Sequence, residues 1–192
     1  MTQVAGLVLA AGEGRRFGQP KALVEVDGER LVDRAARVLR EGGCDLVYVV
    51  AGAAPLDVDG ATTVVNDDWR SGMASSFRAG LGALPDTADA VVVSLVDQPG
   101  IGAEVVARLV RLLGDGHELV VATYAGAPRN PVGIARSLWD RVAESVSGDE
   151  GARVFIGQHP ELVEPVECGD AADPADIDTR TDLERFPRPS QP

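Results

Sequence analysis

The sequence predicts an α/β fold, a mostly parallel central sheet with helices on both faces. Three observations predict it. Val4–Ala10 and Ala90–Val96 are strongly apolar runs, as in strands covered on both faces. Apolar strands alternate with segments of helical period, the pattern of βαβ units. The first run empties into a glycine-rich, basic loop, and ligands of open α/β sheets bind at the carboxyl ends of strands.

The elements follow in order. After the first strand and its loop, Arg30–Glu41 places Leu31, Ala35, Val38 and Leu39 on one helical face, and Gly42-Gly43 stops it. Asp45–Ala51 is a second strand and Ala61–Val65 a shorter third. Met73–Leu84 reads as a helix burying Phe77, Leu81 and Leu84, closed by Pro85. Ala90–Val96, the most apolar strand, is placed centrally. Gly102–Leu113 is a helix with Val105, Leu109 and Leu112 inward, and Leu119–Tyr124 a fifth strand. The pattern then loosens. Pro131–Ala135 is a short strand, Arg136–Val146 a helix, Gly151–Gln158 one or two helical turns, and Leu162–Val166 an edge strand. Asp170–Asp178 is acidic and turn-rich. Asp178–Phe186 is a terminal helix with Asp178 as its N-cap. No repeat or linker interrupts residues 1–186, which are expected to form a single domain ahead of a disordered tail at 187–192.

Bulk properties narrow the function. The 192 residues carry a formal net charge of -12, which argues against non-specific binding to nucleic acid or an anionic membrane. No apolar run reaches bilayer-spanning length, and the N-terminal run is a core strand without the flanks of a signal peptide. Cys44 and Cys168 lack metal spacing, so a reducing cytoplasm with two incidental thiols is the expectation. His117 and His159 are expected on the surface without partners, and Trp69 and Met73 are read as core.

The loop holds Gly12, Gly14 and Gly18, interleaved with Arg15, Arg16 and Lys21. Glycines let backbone approach a ligand, turned amides cradle anionic oxygens, and the clustered cations suit a polyphosphate. Two common loop types do not fit. The dinucleotide fingerprint needs its third glycine one position earlier and a carboxylate after the second strand, which here ends Val50-Ala51-Gly52. The Walker pattern needs Gly-Lys and then Ser or Thr, but Gln19-Pro20 intervene and Ala22 follows Lys21. The loop is therefore expected to hold a nucleoside triphosphate in another way. Asp97 directly follows the fourth strand, at the position for a Mg²⁺-binding carboxylate.

Leu9–Lys21, L-A-A-G-x-G-x-R-F-G-x-P-K, resembles the LAAGxSxRMGxxK signature of the MobA-like nucleotidyltransferases, particularly the molybdenum cofactor cytidylyltransferase branch. Gly14 stands where serine is usual and Phe17 where methionine is usual. Further stretches resemble the family in family order: Asn66–Leu81, Asp97-Gln98-Pro99, Arg129–Gly133, Gly148–Arg153 and Asp176–Leu183. Asn130 replaces a histidine of the pattern, Arg180 a proline and Thr181 a glutamate.

The resemblance implies a Rossmann-like three-layer sandwich of the nucleotide-diphospho-sugar transferase type. It implies a Mg²⁺-dependent nucleotidyltransferase moving a nucleoside monophosphate onto the terminal phosphate of molybdopterin, with pyrophosphate released. The implied catalytic residues are Arg16, Lys21 and Asp97. The implied nucleotide site is Leu9, Ala10, Ala11, Gly12, Gly14, Arg15, Arg16, Lys21, Gly72, Ser75, Ser76 and Asp97. The implied acceptor site is Gln98, Arg129, Asn130 and Arg153, and the implied metal ligands are Asp97 and Asp178, the latter favoured over Asp176. Ser75 and Ser76 also suit a helix start that receives anions, and Arg153 suits either a substrate phosphate or an i,i+4 pair with Asp149. Ala10-Ala11 resembles the cytidylyl branch, where a Cβ narrows the base pocket, so CTP is the favoured nucleotide. Transient contact with a molybdenum enzyme is a further implication. The alternatives are a sugar-phosphate or GTP-using nucleotidyltransferase and a non-catalytic cofactor chaperone.

Overall fold

The computed structural model describes Thr2–Phe186. The tail expected at 187–192 lies outside the described residues. A seven-stranded sheet has the order β5-β4-β1-β6-β8-β7-β9. Its strands are β1 (Val4–Leu9), β4 (Leu46–Ala51), β5 (Thr62–Val65), β6 (Ala90–Leu95), β7 (Leu119–Tyr124), β8 (Ala127–Ala135) and β9 (Val163–Glu167). Strand β1 is parallel to β4 and β6, with Leu7 opposite Tyr48 on one side and Val93 on the other. Strand β8 alone is reversed, antiparallel to both β6 and β7, while β9 runs parallel to β7.

Burial follows the pleat. Every residue of β1 is buried, and alternate side chains enter opposite layers. Val4 and Val8 meet the layer of α1 (Leu31–Glu41) and α3 (Ala103–Gly114). Ala5, Leu7 and Leu9 meet the layer of α2 (Met73–Ala83), α4 (Trp139–Ser145) and α5 (Arg153–Gln158). Phe77 at 1% exposure and Phe155 at 2% centre the second layer.

Several expectations are corrected. The short strand expected at Pro131–Ala135 begins at Ala127, because Ala125-Gly126 turns the chain straight back from β7 as a hairpin. Arg136–Val146 divides into a 3₁₀ turn, Arg136–Leu138, and α4. A small hairpin of β2 (Glu25–Val26) and β3 (Glu29–Arg30) had no expectation. Its Asp27-Gly28 turn, with both residues at positive φ, was the signal in the sequence. The last helix, α6 (Arg180–Arg185), is capped by Thr179 rather than Asp178. Thr179 and Asp182 form a reciprocal capping box that leaves the Asp178 side chain for other work. Cys44 and Cys168 are buried free thiols. His117 and His159 do have partners, Glu164 at 3.4 Å and Glu161 at 3.1 Å.

Candidate active site

At the carboxyl ends of β1 and β6 lies a cleft of about 580 Å³, within the range of small-molecule sites. One wall is the glycine loop. The chain leaves β1 with the Ala10 N–H donated to the Val50 carbonyl at 3.0 Å, then turns so that Phe17 and Gly18 both donate to the Gly14 carbonyl. Gly14 has φ +65°, and a Cβ there would collide with the Gln19 carbonyl. The family's usual serine is therefore excluded from this turn. Phe17, 4% exposed, plugs the loop into the core beneath.

Lys21 follows the loop, and its Nζ donates to Asp97 Oδ2 at 2.8 Å and Asp178 Oδ1 at 2.5 Å. Burial pushes the ammonium's pKa down, but the hydrogen bonds to Asp178 and Asp97 outweigh it, so the group ionises above its ordinary value. Lys21 is thus a fixed cation. Arg16 stands 3.5 Å from Asp178 Oδ2 and is largely exposed, free to follow an incoming anion.

Asp178 is brought to Asp97 by contacts between two distant segments. The Ile177 N–H donates to the Asp97 carbonyl at 2.8 Å. Gln98 Nε2 donates to Asp176 Oδ1 at 2.8 Å and to the Pro174 carbonyl at 3.3 Å. Ile177, 2% exposed, anchors the segment in the core. Asp176, held by Gln98, is pushed to a higher pKa by burial and by the neighbouring charge of Asp97. With Asp176 turned to Gln98, Asp178 is the one of the two candidates that lines the cleft.

The other wall is Trp69–Met73, with Ser76 and Asp149. Asn66 Nδ2 donates to Ser75 Oγ at 2.8 Å and Ser76 Oγ at 3.0 Å, locking the entry to α2. The first helical amides are already taken: Met73 N–H donates to Asp149 Oδ1 at 3.1 Å, and Ala74 N–H to the Gly148 carbonyl at 2.9 Å. These two amides are therefore not open to a substrate anion in this arrangement. Asp149 serves α2 and forms no ion pair with Arg153 among the described residues.

The structure brings together Leu9, Ala11, Gly12, Gly14, Arg15, Arg16, Lys21, Gly72, Ser76, Asp97 and Asp178. Ala10 points into the opposite core layer, because the pleat alternates, and Ser75 is turned into the Asp68–Gly72 turn. Gln98 is buried beneath the site rather than in it. Arg129 and Asn130 start β8 at the same sheet edge but outside the cleft lining, since the hairpin carries them two strands beyond β1. Arg153 is exposed on α5, outside the lining. Glu13, Trp69, Arg70, Ser71, Met73, Leu95, Val96 and Asp149 line the cleft without having been singled out for it. For Trp69 and Met73 the signal was their place inside the Asn66–Leu81 stretch.

The donor set suits a hard divalent cation. Asp97 and Asp178 present carboxylate oxygens to one point, and Mg²⁺ prefers one or two carboxylates with substrate phosphates completing the shell. Among the described residues, no group of three or more His, Cys, Asp or Glu forms a self-sufficient metal cage. A cation bound there would displace the Lys21 ammonium from between the two carboxylates.

Fold and cleft together define a nucleotide-handling enzyme whose cations and carboxylates converge at the carboxyl end of a mostly parallel sheet. The MobA-like NTP transferase domain matches residues 6–163, and the chain belongs to that family. It is 40% identical over 197 residues to nicotine blue oxidoreductase of Paenarthrobacter nicotinovorans, covering 95% of this chain and 96% of that one. It is 36% identical over 120 residues to a probable molybdenum cofactor guanylyltransferase of Opitutus terrae, covering 62% of this chain and 59% of that protein. The crystal structure of Mycobacterium tuberculosis Rv0371c in complex with manganese superposes with a TM-score of 0.78 at 27% identity, covering 96% and 97% of the two chains. No helix among the described residues is long and apolar enough to cross a membrane.

Proposed function

We propose that the chain transfers a nucleoside monophosphate from a triphosphate, CTP by preference, to the terminal phosphate of a molybdopterin-type acceptor. The observation that carries this reading is Lys21 held between Asp97 and Asp178, beside the glycine loop and Arg16. In the reaction an acceptor phosphate oxygen attacks the α-phosphorus, the bond from that phosphorus to the β-phosphate oxygen breaks, and pyrophosphate leaves. Such a step needs alignment and charge neutralisation more than proton transfer. Lys21 supplies a positioned charge, Arg16 a mobile one, and the Gly12–Gly14 backbone admits phosphate oxygens closely. Asp97 and Asp178 would hold Mg²⁺, which would supply further charge neutralisation at the phosphates. The setting proposed is the cytoplasm, as a single domain over residues 1–186, with the product handed to a molybdenum enzyme.

The base preference rests on Ala11. Its methyl lies where a Cβ on Gly52 would come within 2.8 Å of it and 2.7 Å of Trp69. Ala11 and Trp69 both line the cleft, and a Cβ at position 11 leaves less room for the base, which suits a pyrimidine. The guanylyltransferase relative makes GTP the competing base. Calorimetric titration with CTP, GTP and UTP in the presence of Mg²⁺ separates them; preferential GTP binding would replace CTP in this reading. Pyrophosphate release with molybdopterin tests the reaction itself, and binding of both substrates without release would make the protein a cofactor chaperone.

A second reading is favoured by the name of the relative that is 40% identical along nearly the whole chain. In it, the cleft serves an oxidation–reduction of a conjugated dye rather than nucleotidyl transfer. Bleaching of such a dye by reduced nicotinamide nucleotide, without pyrophosphate release from any triphosphate, would select it.

A further inference from the structure

We propose that Arg70 is the residue that grips the acceptor's phosphate. This deepens the nucleotidyl-transfer reading and rests on it. Transfer onto a phosphate requires two anionic substrates in one cleft, so the cleft needs positive charge for each. On the glycine-loop wall every cation already has a carboxylate: Lys21 has Asp97 and Asp178, Arg16 has Asp178, and Arg15 has Glu13. Those cations flank the phosphate-cradling loop and suit the triphosphate.

The other wall differs. Its lining holds one cation, Arg70, and one carboxylate, Asp149. Asp149 is turned onto the Met73 amide, and Arg70 makes no ion pair among the described residues. Instead its guanidinium lies over the Trp69 ring, 4.4 Å from the centroid. The indole holds the guanidinium by a cation–π contact, and among the described residues no side-chain hydrogen bond or ion pair takes its N–H donors. The first amides of α2, the other anion-binding feature on this wall, are consumed by Asp149 and Gly148. A second phosphate entering opposite the triphosphate therefore meets Arg70, which can bind it through two parallel hydrogen bonds. Without Arg70 this wall would present only negative charge to an anionic acceptor.

The test uses the full chain carrying Arg70→Ala or Arg70→Lys, each checked by thermal melting. CTP with Mg²⁺ is titrated without acceptor, and pyrophosphate release is then followed against molybdopterin at saturating CTP. In Arg70→Ala the acceptor KM should rise about tenfold or more, with kcat and CTP affinity within about twofold. Arg70→Lys should recover part of the loss, keeping the charge but not the fork. An unchanged acceptor KM in Arg70→Ala overturns the assignment. An equal loss of CTP affinity in the titration without acceptor overturns it too, moving Arg70 to the triphosphate. Wild type that binds CTP but releases no pyrophosphate defeats the transfer reading itself, and the Arg70 assignment with it.

Discussion

The two halves of the sheet serve the cleft differently. The parallel half, β5-β4-β1-β6, puts the ends of two strands directly into it: Leu9 at the end of β1 with Ala11 beyond it, and Leu95 at the end of β6 with Val96 and Asp97 beyond it. Among the described residues, the half beyond, β8-β7-β9, puts no strand residue there and reaches the cleft only through Asp149 and Asp178. Parallel strands gather their carboxyl ends, and the loops leaving them, at one edge. The reversed β8 and its tight hairpin spend that edge on a turn instead. The second half therefore works by bridging: Gly148 and Asp149 onto the start of α2, and Pro174–Asp178 onto Asp97 and Gln98.

The sharpest break is in the parallel half. Asp97→Ala should lower pyrophosphate release by about 1,000-fold, with thermal melting and circular dichroism close to wild type. Turnover within tenfold of wild type would remove Asp97 from the chemistry. Next come the two bridges. Gly72 has φ +113°, and a Cβ there would lie 2.5 Å from the Gly148 carbonyl oxygen. Gly72→Ala should cost about 1–3 kcal/mol in urea unfolding, through both backbone strain and displacement of the 147–149 loop. Gln98→Leu cuts the second bridge. It should cost about 1 kcal/mol, at the low end for a buried hydrogen bond, because the lost bonds to Asp176 and Pro174 are partly offset by removing the unpartnered Gln98 Oε1. The same variant should weaken Mg²⁺-dependent CTP binding, and unaltered binding would show that Asp178 needs no such support.

Smaller effects sharpen the contrast. Arg129→Ala, in the half outside the cleft lining, should leave CTP affinity in calorimetry within about twofold of wild type. A larger loss would extend the nucleotide site along β8. Last, each half carries one buried thiol. Burial pushes Cys44 up to about 12 and also raises Cys168. The thiolate is the reactive form, so both should resist iodoacetamide in the native protein at mildly alkaline pH and react once urea unfolds it. Labelling of Cys44 should rise only as the pH approaches that value, and rapid labelling at neutral pH would show a local opening.

Much of this was legible in the residues. Apolar runs marked β1, β4 and β6, helical periodicity marked α1 to α3, and Asp97 stood at the end of a strand where ligands bind. These signals are local, since hydrophobic period and turn chemistry act over a few positions. The Ala10-Ala11 pair shows where that reach ends. The residue types suggested a base pocket, but only the pleat's phase assigned Ala11 to the cleft and Ala10 to the opposite core. Likewise Arg129, Asn130 and Gln98 had suitable chemistry in sequence, and the topology set them beside or beneath the cleft.

By itself, then, the chain's order of residues determined an α/β framework, a phosphate-suited loop and a carboxylate after the fourth strand of the apolar series. The tertiary structure decided which charges meet. Lys21 and Asp178 are separated by 157 positions, and Met73 and Asp149 by 76. Contacts at such separations depend on strand order, on the direction of β8 and on which of Asp176 and Asp178 is drawn under by Gln98. Short-range periodicity carries no information about any of these, because they are settled only when the two layers of helices close over the sheet.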